Sequence, residues 1–179
     1  MTRLRLPVHD HVAFVLVRPH YPENVGACAR AIKTMGFDDL VLVRPSRLAV
    51  PEHEMAFKMS VRAWEVLAAA RREDDLDDLI ARSDNVLATS SHRGLSGVLT
   101  ARAAASLVVS DAARGRFTSI LFGNEKTGLS SDDMARATHL VRIPMVGDQP
   151  SINLAQAVQL LAYELFVMAL EQRGAREGP

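Results

Sequence analysis

The sequence predicts a three-layer α/β sandwich built on a mostly parallel sheet. Two observations carry this expectation. Short apolar, β-branched runs alternate with helical stretches along the chain, the order that βαβ units with right-handed crossovers produce. Several of these runs are continuously apolar rather than alternating, as strands buried on both faces of a parallel sheet tend to be. A length of 179 residues suits one domain with a sizeable core. We expect a single domain over residues 1–179, with loose ends at 1–10 and 173–179.

The elements follow in order. Strands are expected at 11–17 (HVAFVLV), 39–43 (DLVLV), 85–90 (NVLATS), 117–122 (FTSILF) and 139–144 (HLVRIP). Helices are expected at 24–35, 53–71, 100–113, 130–136 and 151–172. Gly36 stands where a left-handed C-cap belongs. Ser130 and Asp133 have capping-box spacing, with Asp in place of the usual Glu or Gln. The acidic run Glu73–Asp78 reads most simply as a solvated helix end and loop. The last helix is apolar nearly all round, at Leu154, Val158, Leu161, Leu165 and Met168, more than one sheet face needs to cover; this predicts a homodimer.

Composition narrows the function. The chain is 48% hydrophobic and 23% charged, ordinary for a soluble globular protein. Its 21 basic and 21 acidic residues cancel, so nucleic acid would have to meet a local basic patch. The lone Cys28 forms no intrachain disulfide and reads as a small packed hydrophobe, which fits a reducing compartment. No signal-peptide core opens the chain, and no uninterrupted apolar run reaches the roughly 18–20 residues of a membrane span. A cytoplasmic location is expected.

In open parallel sheets, ligands bind beyond the carboxyl ends of the strands. Those ends carry the unusual segments here: RPHYPENVG, SSHRGLSG, FGNEKTGLS and PMVGDQPSIN. Neither GxGxxG nor GxxxxGK[ST] is present, so a ligand without phosphates fits better than a nucleotide triphosphate. The six histidines (9, 11, 20, 53, 92, 139) are scattered without metal-ligand spacing, so no metal is expected. Gly26, Arg30 and Lys33 share one helical face. That face reads either as a solvated stripe or as an anion site one turn into a helix beside the strand ends. Asn153 is either part of a helix start capped by Ser151 or a site residue. Glu125 is equally open between surface loop and site.

Three segments together resemble the SPOUT superfamily, specifically the TrmH-like (SpoU) RNA ribose methyltransferases. NVGACAR (24–30) resembles the family's N-x-G-x-x-x-R. LFGNEKTGL (121–129) resembles its second motif, and IPMVGDQPSINLAQA (143–157) its third. The tail SINLAQAVQLLAYEL is most similar to the TrmJ branch, which methylates a ribose 2′-oxygen in the tRNA anticodon loop. Enzymes of that branch usually carry a C-terminal extension, whereas this sequence stops at REGP, which leaves the RNA target open.

The resemblance implies a C-terminal trefoil knot, S-adenosylmethionine as cofactor, a homodimer and an RNA substrate. That RNA is most simply tRNA, with rRNA as the alternative. It assigns catalysis to Arg30, Asn24, Glu125, Ser151 and Asn153. Donor contacts are expected at Leu87, Ala88, Thr89, Ser90, Gly123, Asn124, Ile143, Met145, Ser151 and Leu154. RNA contacts are expected at Arg18, His20, Arg30, Lys33, His92 and Arg93. Two further readings stand beside it: a non-catalytic RNA-binding module of the same fold, and a small-molecule α/β enzyme, for which no nucleophile or metal constellation is present.

Overall fold

The computed structural model describes residues 4–92, 94–146 and 151–176. In chain order the elements are α1 (Pro7–Asp10), β1 (Val12–Val17), α2 (Pro22–Thr34), β2 (Leu40–Val43), α3 (Glu54–Met59), α4 (Trp64–Ala68), β3 (Arg71–Glu73) and α5 (Asp77–Ala81). They continue with β4 (Asn85–Thr89), β5 (Val98–Thr100), α6 (Ala101–Ala112), β6 (Thr118–Phe122), α7 (Ser131–Ala135), β7 (His139–Arg142) and α8 (Leu154–Arg176). The seven strands form one sheet in the order β3-β2-β1-β6-β4-β7-β5. Every pairing in it is parallel.

The sheet divides the core into two layers. Along β1, Val12, Phe14 and Leu16 face one cluster with residues of α1, α2, α6 and α8, while Ala13, Val15 and Val17 face a second with Leu79 of α5 and Leu129. Successive strand residues point to opposite faces, so a strand covered on both sides must be apolar throughout. All six residues of β1 and all four of β2 are buried. The five predicted strands and the helices α2, α6, α7 and α8 stand where the sequence puts them, within a few residues. Gly36 has φ +91 and follows α2, and Ser130 and Asp133 make the expected reciprocal cap of α7.

Four readings differ. The helix expected over 53–71 is two short helices, α3 and α4, followed by strand β3. The break lies at Arg62, whose φ of +59 is incompatible with a continuing helix. β3 and β5 form the two edges of the sheet, and neither was expected. Within the acidic run, Asp77 begins α5. Residues 7–10 form α1, with Leu6, Val8 and His9 buried, so this part of the expected loose end is packed. The buried His9 accepts from the Leu6 amide through Nδ1 and therefore donates through Nε2 to the Met35 carbonyl. Residues 1–3 and 177–179 lie outside the described residues.

By length and composition, Leu154–Ala175 of α8 would suffice to cross a membrane, with mean hydropathy 1.3. One side of this helix, Leu154, Val158, Leu161, Ala162, Leu165 and Ala169, is buried in the core, which accounts for much of its apolar character.

Candidate active site

Strands β1, β6, β4 and β7 are consecutive neighbours in the sheet. Their carboxyl ends therefore bring the segments that begin at Arg18, Gly123, Ser90 and Ile143 together at one end of the sheet. A cavity of about 340 Å³ opens there. Its walls include Thr89, Ser90 and His92 after β4, residues 123–129 after β6, Ile143 and Met145 after β7, and Ser151, Leu154 and Ala157 at the start of α8. Val141, Ile143, Leu154 and Ala157 supply an apolar side. Ser90, Asn124 and the loop backbone supply polar groups.

The loop after β6 is tightly folded. Asn124 and Gly128 exchange backbone hydrogen bonds of 3.2 and 2.8 Å. A Cβ on Gly123 would lie 2.2 Å from the carbonyl carbon of Gly128, so only glycine lets the loop close. The Asn124 side chain accepts from the Lys126 amide at 2.8 Å and donates to the Arg18 carbonyl at 2.6 Å.

Beyond that wall, the three motifs join through side chains. The Glu125 carboxylate accepts from the backbone amides of His20 (2.8 Å) and Tyr21 (3.2 Å) and from Asn24 Nδ2 (2.8 Å). Asn24 Oδ1 in turn accepts from Asn153 Nδ2 at 3.0 Å. Asn153 Oδ1 accepts from the amides of Ala155 and Gln156 at 2.8 and 3.4 Å, and the Gln156 side chain returns a bond to the Asn153 amide. Asn153, rather than Ser151, is thus the cap of α8, in the capping-box form. Just behind the network, Cys28 is fully buried, and that burial, aided by Glu125, pushes its thiol well above the ordinary range. It is an inert packing group, as its small neighbours led us to expect.

A model of the SpoU rRNA Methylase family matches residues 11–163, which include all three motif segments. The chain belongs to this family. Among similar proteins, a tRNA (cytidine/uridine-2′-O-)-methyltransferase TrmJ of Sodalis glossinidius is 35% identical over 165 residues, covering 91% of this chain and 63% of that protein. The chain spans 63–67% of the length of curated relatives that it matches. A probable methyltransferase of Bordetella pertussis Tohama I superposes with a TM-score of 0.85 at 31% identity, covering 90% of this chain and 98% of that one. TrmJ of Z. mobilis ZM4 superposes with a TM-score of 0.78 at 36% identity, covering 87% and 69%.

Within this SpoU-family fold, the residues expected to hold a donor separate into two groups. Thr89, Ser90, Gly123, Asn124, Ile143, Met145, Ser151 and Leu154 all line the cavity. Leu87 and Ala88 do not: each is fully buried, on opposite faces of the sheet, because β4 is covered on both sides until its last residue. Sequence reasoning missed Lys126, Thr127 and Ile152, which line the cavity. It also missed Tyr21, whose amide Glu125 holds.

The residues expected to contact RNA are differently placed. Arg18 pairs with the buried Asp133. Burial would raise the Asp133 carboxyl, but hydrogen bonds from Arg18 and Ser130 outweigh it and hold the group below the ordinary carboxylate range. Lys33 pairs with Glu65 and donates to the Arg62 carbonyl. Gly26, on the same face of α2, meets α3 so closely that a Cβ would lie 1.9 Å from the Ala56 oxygen. Arg30, between these two, is exposed, and among the described residues its guanidinium has no hydrogen-bond or ion-pair partner. His92 lines the cavity, His20 meets Lys126, and Arg93 lies outside the described residues. Among the described residues no group of three or more His, Cys, Asp or Glu is arranged to hold a metal.

Proposed function

We propose that the chain is an S-adenosylmethionine-dependent RNA ribose 2′-O-methyltransferase of the cytoplasm, acting on a pyrimidine of the tRNA anticodon loop. The observation that carries this reading is the side-chain network Glu125–Asn24–Asn153, which ties all three motifs together beside the cavity and leaves Arg30 free on the helix it anchors. The names of the relatives support the reaction class and the tRNA substrate.

The cavity fits the donor. Its volume lies in the range of small-ligand sites. It combines an apolar wall with backbone groups, and its two charged side chains, Glu125 and Lys126, already have partners. When bound, the donor supplies an electrophilic methyl group, and the protein supplies alignment. Glu125 holds geometry rather than taking a proton, because three donors already occupy its oxygens. Arg30 is the acceptor-side cation. A guanidinium stays protonated in proteins, so its part is to bind the phosphate beside the target ribose and polarise the 2′-hydroxyl. The reading also includes the C-terminal trefoil knot and a homodimer. The dimer is supported by the exposed side of α8, with Leu160 at 43% and Tyr163 at 48% exposure.

The test uses labelled S-adenosylmethionine and tRNA from cells lacking the gene, with digestion to nucleosides. Label on a pyrimidine 2′-oxygen is expected. Arg30→Ala is expected to abolish turnover while calorimetry finds donor affinity within about twofold of wild type, as an acceptor-side residue requires. Near-normal turnover in that variant would return Arg30 to the solvated face of α2.

A further inference from the structure

We propose that Tyr21 and Lys126 form a seat for a single-stranded RNA nucleotide at the outer side of the cavity wall, with the base on the Tyr21 ring and a phosphate on the Lys126 ammonium. The inference rests on the reading above and adds residues that neither the sequence patterns nor that reading assigns.

Lys126 lines the cavity, and its ammonium contacts two residues that do not. Nζ donates to His20 Nε2 at 2.8 Å and sits 5.3 Å from the centre of the Tyr21 ring. His20 and Tyr21 do not line the cavity, but their amides bond to Glu125, which does. The pair therefore stands one hydrogen bond outside the cavity wall, at the start of the helix that carries Asn24 and, two turns on, Arg30. An acceptor nucleotide must approach from that side if Arg30 is to meet it.

The chemistry of the pair suits a nucleotide. Tyr21 is 43% exposed, and its hydroxyl has no hydrogen-bond partner among the described residues. Its backbone is fixed by Glu125, while its ring lies outside the core and meets the His20 ring edge to face at 4.7 Å. Exposed aromatic rings beside cations are how proteins hold single-stranded bases without reading them. Asn124, Glu125 and Lys126 each reach back to the segment 18–24, and of these contacts the one from Lys126 brings an exposed cation. A phosphate oxygen is a stronger partner for an ammonium than an imidazole nitrogen is, so the ammonium transfers from His20 to the RNA.

The experiment compares wild type, Tyr21→Ala, Tyr21→Phe and Lys126→Gln in methyl transfer to tRNA, with donor affinity by calorimetry and mass by light scattering. Tyr21→Ala should raise the KM for RNA by about 5- to 100-fold, the range for one lost base stack, with a smaller effect on kcat. Tyr21→Phe should restore it. Lys126→Gln should flatten the dependence of log affinity on log salt by about one unit, for one phosphate contact. In the two Tyr21 variants donor affinity and mass should not change, because Tyr21 does not line the cavity. An unchanged KM in Tyr21→Ala overturns the seat. So does a loss of donor affinity matching the loss for RNA, which would make the pair only a clip on the loop. A fall in mass would assign Tyr21 to the interface with a second copy and overturn it too. Absence of methyl transfer by wild type would instead sink the reading of the function, and the seat with it.

Discussion

The substitution Glu125→Gln tests the network at its centre. Glutamine keeps the shape and one acceptor oxygen. Placed at Oε1, that oxygen still serves Tyr21 and Asn24, but the new NH₂ then faces the His20 amide, which now bonds Oε2 at 2.8 Å. Two donors cannot satisfy each other. Leaving a donor unmet costs about 1–3 kcal/mol, and turning two charge-assisted bonds neutral costs roughly 1 kcal/mol each. Because Glu125 is only half-buried and water can partly replace the lost bond, we expect about 2–3 kcal/mol in total. For a domain of this size each kcal/mol lowers Tm by about 2–4 °C, so the variant should melt roughly 4–12 °C lower. Differential scanning calorimetry reads this directly, and titration with donor reads the companion effect, a weakened site. A variant melting within about 1 °C of wild type would show that the carboxylate is replaceable by solvent, and the argument that it anchors α2 would fail.

Three further outcomes are expected. Gly26→Ala should destabilise by about 3 kcal/mol or more, at the upper end of overpacking costs, since the added Cβ would meet backbone of Ala56 rather than a flexible side chain; thermal unfolding measures it. The Asp133 carboxyl is held below its ordinary value by Arg18 and Ser130, against the raising effect of burial. Its contribution is present above the unfolded-state value of about 3.9 and is lost as pH falls through the depressed folded value, so wild type should lose more stability between pH 5 and 3 than Asp133→Asn does. Light scattering should give twice the monomer mass, and charge at Leu160 and Tyr163 (Leu160→Glu with Tyr163→Glu) should halve it.

How much of this was legible depended on how local the signal was. The buried central strands announced themselves because both faces must be apolar. The edge strand β3 did not, because Arg71–Glu73 is polar and only three residues long. Helical periodicity ran on through 53–71 because a single left-handed residue, Arg62, breaks a helix without changing the pattern around it. At the site, motif and strand-end position led to Thr89, Ser90 and Gly123, which line the cavity, whereas Leu87 and Ala88, one or two residues earlier on the strand, are buried in the sheet. Charge alone did not reveal the ion pairs of Arg18 and Lys33. Their acidic partners, Asp133 and Glu65, lie 115 and 32 residues away along the chain, and no local pattern connects them.

Asn24 and Asn153 show why single residues stayed ambiguous until the fold joined them. Asn153 read either as the start of a helix or as a site residue, and its two side-chain atoms are engaged differently: Oδ1 caps α8 while Nδ2 reaches Asn24. Asn24 must accept from Asn153 and donate to Glu125 within one side chain. An aspartate there would set two carboxylates at hydrogen-bond distance without a proton between them, and a serine would be too short to span the gap. The direction of the chain of bonds, from Asn153 through Asn24 to a carboxylate that also grips two backbone amides, therefore dictates amide, amide, acid. The same chain of bonds explains why these residue types sit in three motifs separated by about a hundred residues and then by a further turn of sheet, since 101 and 129 residues separate Asn24 from its two partners. Each motif supplies one link. Together the links tie the start of the helix carrying Arg30 to the loop after β6 and to the start of α8.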